Sequence, residues 1–194
     1  MVKEEGVERF MHVSALGVDK ADQSDYARSK ATGEKAIHST LPNAIIMRPS
    51  VLFGAEDNFF NQFAKMAGLS PFLPLIGGGK TKFQPVYVQD VAKAIVRGVK
   101  GDLTEGKIYE FGGNKIMSFK EILQYLLTTI KKKRILLPIP FFVAKIIGFF
   151  GEFAPTPPIT RDQVDLLKYD TIVSRERDGF KALNMTTTPM ELVV

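Results

Sequence analysis

Tyr26 and Lys30 are the side chains whose types and spacing could carry out acid/base chemistry. Residues four apart lie on one face of a helix, so both can point into the same cleft. A nearby ammonium favours the phenolate, and we expect it to pull the pKa of Tyr26 from its usual value of about 10 toward neutrality. Tyr26 would then be a usable general acid or base, with the hydroxyl of Ser14 as a third polar group. Because this spacing alone is not specific, whether Tyr26 and Lys30 form a site depends on the secondary-structure elements around them.

The segments around this pair predict a strand, a helix and a second strand. Residues 7–14 are rich in β-forming side chains and predict a buried strand. Ser24 or Asp25 can cap a helix that runs to about Thr40 and carries both Tyr26 and Lys30. The apolar run at residues 44–48, ended by Pro49, predicts a parallel strand covered on both faces. The sequence therefore predicts a βαβ unit with a right-handed crossover.

The rest of the chain continues the α/β pattern. We predict a helix with core-packing phenylalanines at residues 58–67, a loop with a flexible triglycine turn at 68–82, and a strand at 108–111. Asp90 is expected to cap a helix at 91–100, and Ser118 with Glu121 forms a capping box for a helix to about Lys131. A phosphate-binding role for the triglycine turn is the less favoured alternative, because P-loop spacing is missing.

Composition excludes several classes of site and partner. The 194 residues are 45% hydrophobic and 24% charged, which is typical of a globular domain, or a domain with a small lobe. The chain has no cysteine and only two histidines, His12 and His38, so no metal site is predicted. The net charge of +5 is mostly scattered, and we predict no nucleic-acid partner.

Residues 131–153 join a basic run to a very apolar segment. Prolines at 138 and 140, Lys145 and Glu152 interrupt that segment, so it is too short to cross a bilayer. A helix starting near Pro140 is expected, with two alternatives: plain packing beside a solvated turn, or peripheral contact with anionic lipid or a partner. Beyond it we predict a stiff linker at prolines 155, 157 and 158, a short helix at 160–169, and a helix start at Pro189.

Four motifs in this order resemble the extended and atypical short-chain dehydrogenase/reductase superfamily, the branch that contains NAD-dependent epimerases and dehydratases. They are the strand ending in Ser14, the Tyr26-x-x-x-Lys30 helix, the strand ending in Arg48-Pro49 before Gly54, and the segment 86–92 after a Gly-rich turn. Within that superfamily, residues 28–35, 49–54 and 84–88, and Pro138 with residues 159–162, resemble the dehydrogenase-like accessory subunit of respiratory complex I and its bacterial NADH-ubiquinone oxidoreductase-like relatives.

The resemblance implies a site and a cofactor. Tyr26 and Lys30 would lie at the ribose of a bound NADP or NAD, with Lys30 on the ribose hydroxyls and Ser14 orienting a substrate carbonyl. Pro49 and Ser50 would present backbone groups to the carboxamide. Where sugar-nucleotide epimerases often carry an arginine for substrate phosphate, this sequence has lysines at 80 and 82.

The resemblance also implies that the nucleotide-binding N-terminal half of the fold is missing. No Gly-rich turn follows a first strand here, so we expect nucleotide binding to be impaired unless a separate polypeptide supplies that half. The predicted fold is the C-terminal half of a Rossmann-like doubly wound sheet with a mostly helical C-terminal lobe. We assign residues 1–113 to the remnant of the NAD(P)-binding domain, with part of the substrate lobe at about 55–85. Residues 114–194 form the mostly helical C-terminal lobe.

Three functions remain open. The first is an NAD(P)-binding oxidoreductase-like protein linked to the complex I or quinone system. The second is a non-catalytic assembly module that uses residues 131–153 as its contact. The third is a sugar-nucleotide epimerase or dehydratase. The expected location is the cytoplasm of a bacterium, peripheral on the inner membrane face, or the mitochondrial matrix side in a eukaryote.

Overall fold

The computed structural model of the chain describes residues 6–153, 157 and 159–193. Its strands in chain order are β1 (Met11–Val13), β2 (Ile45–Pro49), β3 (Leu52–Phe53), β4 (Phe72–Ile76), β5 (Lys82–Phe83), β6 (Val86–Tyr87), β7 (Ile108–Phe111), β8 (Met117–Ser118) and β9 (Ile135–Ile139). Its helices are α1 (Asp25–Thr40), α2 (Phe59–Leu69), α3 (Val88–Val99), α4 (Phe119–Thr129), α5 (Phe141–Gly151), α6 (Arg161–Leu166) and α7 (Gly179–Ala182). The predicted α/β class is confirmed.

The central sheet is parallel and has the strand order β1-β2-β7. Met11 lies beside Ile45 on one edge of β2, and Met47 lies beside Tyr109 on the other. All five residues of β2 are buried, as expected for a strand covered on both faces. The predicted βαβ unit is confirmed, although β1 is shorter than the strand predicted at residues 7–14 and, contrary to the prediction, none of its three residues is buried.

Helix α1 begins where the sequence predicts, because Ser24 satisfies its first turn. The Ser24 hydroxyl accepts a hydrogen bond from the Ala27 N–H at 3.1 Å. Asp162 of α6 binds the same end of the helix, accepting from the Ser24 hydroxyl at 3.0 Å and from the Asp25 N–H at 2.6 Å. These contacts fix the helical turn that carries Tyr26.

The prediction of a loop at residues 68–82 is wrong, because this segment contains β4. This strand pairs in parallel with β9, and Phe72 lies beside Ile135 and Ile76 beside Ile139. Each of the two strands contains a proline, Pro74 in β4 and Pro138 in β9. Because proline cannot donate a hydrogen bond within a sheet, the sequence did not predict either strand. The prolines are tolerated because each strand has a single partner within the described residues.

The triglycine segment Gly77–Gly79 forms a compact 3-10 turn after β4. All three glycines have positive φ, between 61° and 68°, which other residues adopt with strain. A Cβ on Gly77 would lie 2.4 Å from the ring of Phe141. The turn therefore lets the first residue of α5 pack closely against the backbone.

Phenylalanine rings build the larger core, as predicted for α2. Phe60 and Phe63 are buried, and the Phe63 ring lies edge-on to that of Phe119 in α4 at a centroid distance of 5.3 Å. The predicted capping box starts α4, with Glu121 N–H donating to the Ser118 hydroxyl at 3.2 Å. A second core lies under the central sheet, around Ile45, Met47 and Phe111.

Three predictions about where helices begin or end are wrong. Tyr87 rather than Asp90 precedes α3, and the buried Asp90 carboxylate accepts instead from the N–H of Thr188 at 2.6 Å. Helix α6 ends at Leu166, short of residue 169. Pro189 precedes a single 3-10 turn, Met190–Leu192. The predicted proline linker falls largely outside the described residues, at 155 and 158.

Helix α5 begins directly after Pro140, as predicted. Ala144 and Gly148 face inward, and Gly148 approaches the backbone of Arg161 closely. The opposite side of the helix and the turn just after it expose large apolar side chains, defined here as the α5 face: Phe142, Ile146, Phe149, Phe150 and Phe153. Within the described residues, no helix is long and apolar enough to cross a membrane.

Candidate functional site

An open cavity of about 750 Å³ lies at the carboxyl ends of β1 and β2. Its lining includes every residue of the predicted site: Ser14, Tyr26, Lys30, Pro49 and Ser50. Ser14 follows β1, while Pro49 ends β2 and Ser50 follows it. The carboxyl ends of parallel strands are where ligands bind in open α/β sheets. The fold thus brings together side chains that the sequence separates by up to 36 positions.

Tyr26 and Lys30 lie one turn apart on α1, but the lysine does not activate the phenol as expected. The Lys30 ammonium donates to the backbone carbonyl of Val13 at 3.1 Å, and no hydrogen bond joins it to Tyr26 within the described residues. Burial raises the pKa of the Tyr26 phenol above its ordinary value. The expected lowering of the Tyr26 pKa is therefore wrong, and the phenol stays protonated at neutral pH.

The cavity lining includes two residues with buried hydroxyls. The side-chain oxygens of Ser14 and Thr171 are both buried, and neither makes a hydrogen bond within the described residues. An unpaired buried hydroxyl costs about 1–3 kcal/mol. A polar group of a ligand in the cavity would remove that cost. Sequence reasoning missed Thr171, because nothing in a loop 157 positions after Ser14 indicates that the two are neighbours.

Backbone hydrogen bonds hold Pro49 and Ser50 in place. The carbonyl of Pro49 accepts from the Leu16 N–H at 2.9 Å, and the Ser50 N–H donates to the Phe111 carbonyl at 2.8 Å. The Ser50 hydroxyl donates to the Thr171 carbonyl at 3.3 Å. A carbonyl has two lone pairs, so Pro49 keeps one acceptor position for a ligand, whereas the Ser50 N–H is already used.

A buried ion-pair network lies behind the site and was not predicted. Arg48 of β2 donates to both carboxylate oxygens of Glu34 in α1, at 2.9 and 2.6 Å, and to Asp19 at 2.8 Å. Burial lowers the pKa of Arg48, but the hydrogen bonds and charges of Glu34 and Asp19 outweigh it and raise the pKa overall. Bidentate pairing fixes orientation as well as distance. The network therefore sets α1, with Tyr26 and Lys30, against the end of β2.

The lysines considered for substrate phosphate do not reach the cavity. Lys80 and Lys82 are exposed and are absent from its lining. Lys82 lies instead beside Asp170, whose carboxylate accepts from the Lys82 N–H at 2.8 Å. Of the basic residues in the described part of the chain, Lys30 alone lines the cavity.

Comparison with known proteins assigns the family. The model of the RmlD substrate binding domain matches residues 19–141, more than half of the chain. Subunit 9 of the NADH dehydrogenase (ubiquinone) 1 alpha subcomplex from Mus musculus mitochondria is 39% identical over 98% of this chain and 51% of its own length. The same subunit from Arabidopsis thaliana is 38% identical over 93% of this chain and 47% of its own length. The chain spans about half the length of these curated relatives.

Solved structures support the same fold. MoeE5, determined in complex with UDP-glucuronic acid and NAD, superposes with a TM-score of 0.68 at 14% identity, covering 97% of this chain and 62% of that one. A dTDP-glucose 4,6-dehydratase from Streptomyces venezuelae, determined with NAD and TYD bound, gives a TM-score of 0.60 at 23% identity, covering 72% and 49%. The chain belongs to the RmlD substrate binding domain family and is homologous to mitochondrial NADH dehydrogenase (ubiquinone) subunits.

Proposed function

We propose that this chain is an NAD(P)-binding oxidoreductase-like protein of the complex I accessory-subunit type. The observation that supports it best is that Ser14, Tyr26, Lys30, Pro49 and Ser50 line one cavity at the carboxyl ends of two parallel strands. The unpaired hydroxyl of Ser14 fits a site whose polar groups are completed by a ligand. A nicotinamide bound there would supply or accept a hydride.

Lys30 is the residue proposed to bind the nicotinamide ribose. An ammonium has three donors, and the Val13 carbonyl takes one of them, which leaves two for ribose hydroxyls. The contact with Val13 also fixes the ammonium beside the end of β1. Arg48 acts indirectly, because its bond to Glu34 positions the helix that carries Lys30.

Tyr26 is proposed to act as a proton donor. Since burial raises its pKa, the phenol holds its proton at neutral pH and can give it to a developing alkoxide. Ser14 would donate a hydrogen bond to the same oxygen before transfer.

The open edge of the sheet is proposed as the contact for the rest of the nucleotide-binding fold. Within the described residues, β1 pairs only with β2, and Val13 at its end is exposed. An unpaired strand edge is a template for a further strand. A separate polypeptide that adds strands there would bring the phosphate-binding turn that this part of the chain lacks.

Nucleotide binding is tested by melting temperature in the presence of NADPH or reduced nicotinamide mononucleotide. We expect a saturable rise with either ligand that is lost in Lys30→Met. Lys35→Met removes an exposed ammonium from the same helix and serves as the control. No rise with either nucleotide, or an equal loss in both variants, would refute the proposal.

A second candidate function, assembly on a membrane surface, is favoured by the α5 face. Its residues repeat at helical spacing, and Phe142, Phe150 and Phe153 are 68%, 67% and 77% exposed. Residues 131–134 just before β9 supply four cationic side chains, three of them exposed lysines. We propose that this surface rests on anionic lipid, at the inner face of a bacterial membrane or the matrix side of a mitochondrial one. Such contact is compatible with either a catalytic or a non-catalytic role.

A sugar-nucleotide epimerase or dehydratase is the third candidate. MoeE5 was determined with a sugar nucleotide, UDP-glucuronic acid, but at 14% identity it supports the fold alone. The positions of Lys80 and Lys82 outside the cavity count against a diphosphate site there. A UDP-sugar that raises the melting temperature would favour this candidate.

A further inference from the structure

Most of the cavity wall is apolar. The side chains beyond the polar end come from five different segments, so the wall is a product of the tertiary fold: Leu16, Val51, Phe59, Phe63, Ile159 and Leu167. Phe59 and Phe63 are held by the aromatic core of α2 and α4, with ring centroids 5.3 Å apart. The walls are therefore fixed by packing, and the volume of about 750 Å³ is that of a site for a small molecule.

Three polar side chains of the lining come from the end of β1 and the start of α1, while Glu56, Asp57, Asn58, Gln62 and Gln163 come from other segments. Ser14, Tyr26 and Lys30 lie around the ends of β1 and α1, and Thr171 adds a second unpaired buried hydroxyl. This end can therefore bind one small polar group, such as a carbonyl, by several donors.

The charges on the lining disfavour a diphosphate. Lys30 is its only cation within the described residues, whereas Glu56 and Asp57 add two carboxylates. Asp57 is committed to the start of α2, where its carboxylate accepts from the Phe60 N–H at 2.6 Å. A nucleoside diphosphate sugar carries two negative charges that are normally met by arginine or lysine forks. Its diphosphate would here face phenylalanines and two like charges.

We propose that the cavity binds an uncharged lipophilic carbonyl compound, with its carbonyl at the Ser14–Tyr26 end and its hydrocarbon part along the Phe59–Phe63 wall. The inference deepens the function proposed above and rests on it for the placement of the carbonyl. The hydrocarbon part gains from burial against apolar walls, while the carbonyl satisfies the unpaired hydroxyl of Ser14. No phosphate is needed for recognition.

The test is a displacement titration on the whole chain with the uncharged fluorophore N-phenyl-1-naphthylamine. We expect saturable binding that 2-nonanone displaces and UDP-glucose does not. Ser14→Ala should weaken 2-nonanone by about fivefold, the value of one hydrogen bond, and leave the fluorophore unchanged. Displacement by UDP-glucose, or binding of the fluorophore without competition by the ketone, would overturn the proposal.

A matched pair of lysine substitutions locates the binding. Val51→Lys places a charge on the cavity wall and should weaken the fluorophore at least about tenfold, as expected when one apolar wall contact is lost. Phe150→Lys places the same charge on the α5 face and should leave this signal intact. The reverse pattern would place the ligand on the α5 face and refute the cavity. The wild-type displacement decides the matter if Val51→Lys fails to fold.

The ligand titration and the melting-temperature measurement with NADPH together distinguish the lipophilic-carbonyl proposal from the nucleotide-binding proposal. Ketone binding without any effect of NADPH on melting temperature would leave the lipophilic site standing while the nucleotide proposal fails. Nucleotide binding together with displacement by UDP-glucose would do the opposite.

Discussion

The ion-pair network behind the site and the α5 face differ in which side chains they bury and which they expose. Behind β2, Arg48 and Glu34 are charged but buried, and each is matched by a partner within hydrogen-bond distance. On α5, Phe142 and Phe150 are apolar but exposed, without a covering surface in the described part of the chain. Buried charges are costly unless paired, and exposed apolar patches are uncommon unless they bind something.

This difference indicates that the ion-pair network positions structural elements, whereas the α5 face contacts another surface. None of Arg48, Glu34 and Asp19 lines the cavity, so the ion-pair network holds α1 and β2 in register behind it. The α5 face lies opposite Ala144 and Gly148, which form the inward side of the helix, and Phe149 is the member of the face that also contacts Arg161, at 5.0 Å from its ring. The two regions should therefore respond differently to substitution, the first in stability and the second in surface binding.

Arg48→Met should have the largest effect on stability. It leaves Glu34 buried without its partner, and breaking such a pair costs about 3–5 kcal/mol of unfolding free energy. Arg28→Met, which breaks an exposed pair with Asp25, should cost less than about 1 kcal/mol. Urea denaturation measures both. Arg48→Met/Glu34→Leu should recover part of the loss, and equal costs for the two arginines would contradict the positioning role.

Phe142→Ser/Phe150→Ser should affect binding to vesicles far more than stability. Each phenylalanine gains up to about 1.5–3 kcal/mol when fully buried, so losing both should lower partition at least about tenfold. Flotation with equal parts phosphatidylglycerol and phosphatidylcholine measures this. Val96→Ser/Val99→Ser, an exposed apolar pair on α3, is the control. Unchanged flotation, or binding equal on pure phosphatidylcholine, would show that anionic lipid is not what covers α5.

Ser118→Ala should cost about 1 kcal/mol, the usual value of a helix cap. The Ser118 hydroxyl accepts from the Glu121 N–H and so begins α4, a helix that packs on α2 and the phenylalanine core. Ser39→Ala near the exposed end of α1 should have little effect. Thermal unfolding would compare them, and equal shifts would argue against the cap as the determinant of α4.

Asp165→Asn should have a smaller effect that depends on pH. Burial raises the pKa of Asp165, but Lys145 and Lys168, at 2.8 and 2.7 Å, outweigh it and lower the pKa overall. A lowered pKa in the folded state contributes stability above the ordinary value of about 3.9, and that stability is lost as pH falls through the folded value. The difference between wild type and Asp165→Asn should therefore shrink below pH of about 4. Glu176→Gln, on an exposed carboxylate, should show no such convergence.

Local signals predicted the βαβ unit and the helix caps. Ser24 and Ser118 act on N–H groups three residues away, so the sequence carries the whole contact. The Tyr26–Lys30 spacing and the residues that end β1 and β2 also predicted side chains that line one cavity, because strand ends at one sheet edge must meet.

The features that could not be predicted depend on distant partners. Asp90 resembles a cap in the sequence, but its partner Thr188 lies 98 residues away. The pairing of β4 with β9 joins segments 63 residues apart, and each contains a proline that favours a loop. The pKa of Tyr26 was predicted in the wrong direction because the sequence shows neither the burial that raises it nor the contact of Lys30 with the Val13 carbonyl.

The central claim, that the ends of β1 and β2 together with α1 form a nicotinamide-side site, is tested most directly by nuclear magnetic resonance. Reduced nicotinamide mononucleotide would be titrated into ¹⁵N-labelled protein while backbone amide shifts are followed. We predict saturable shifts at Ser14, Lys30 and Ser50 with little change on α5. Saturable shifts confined to α5 or to residues 77–82, with those three amides unmoved, would contradict the claim.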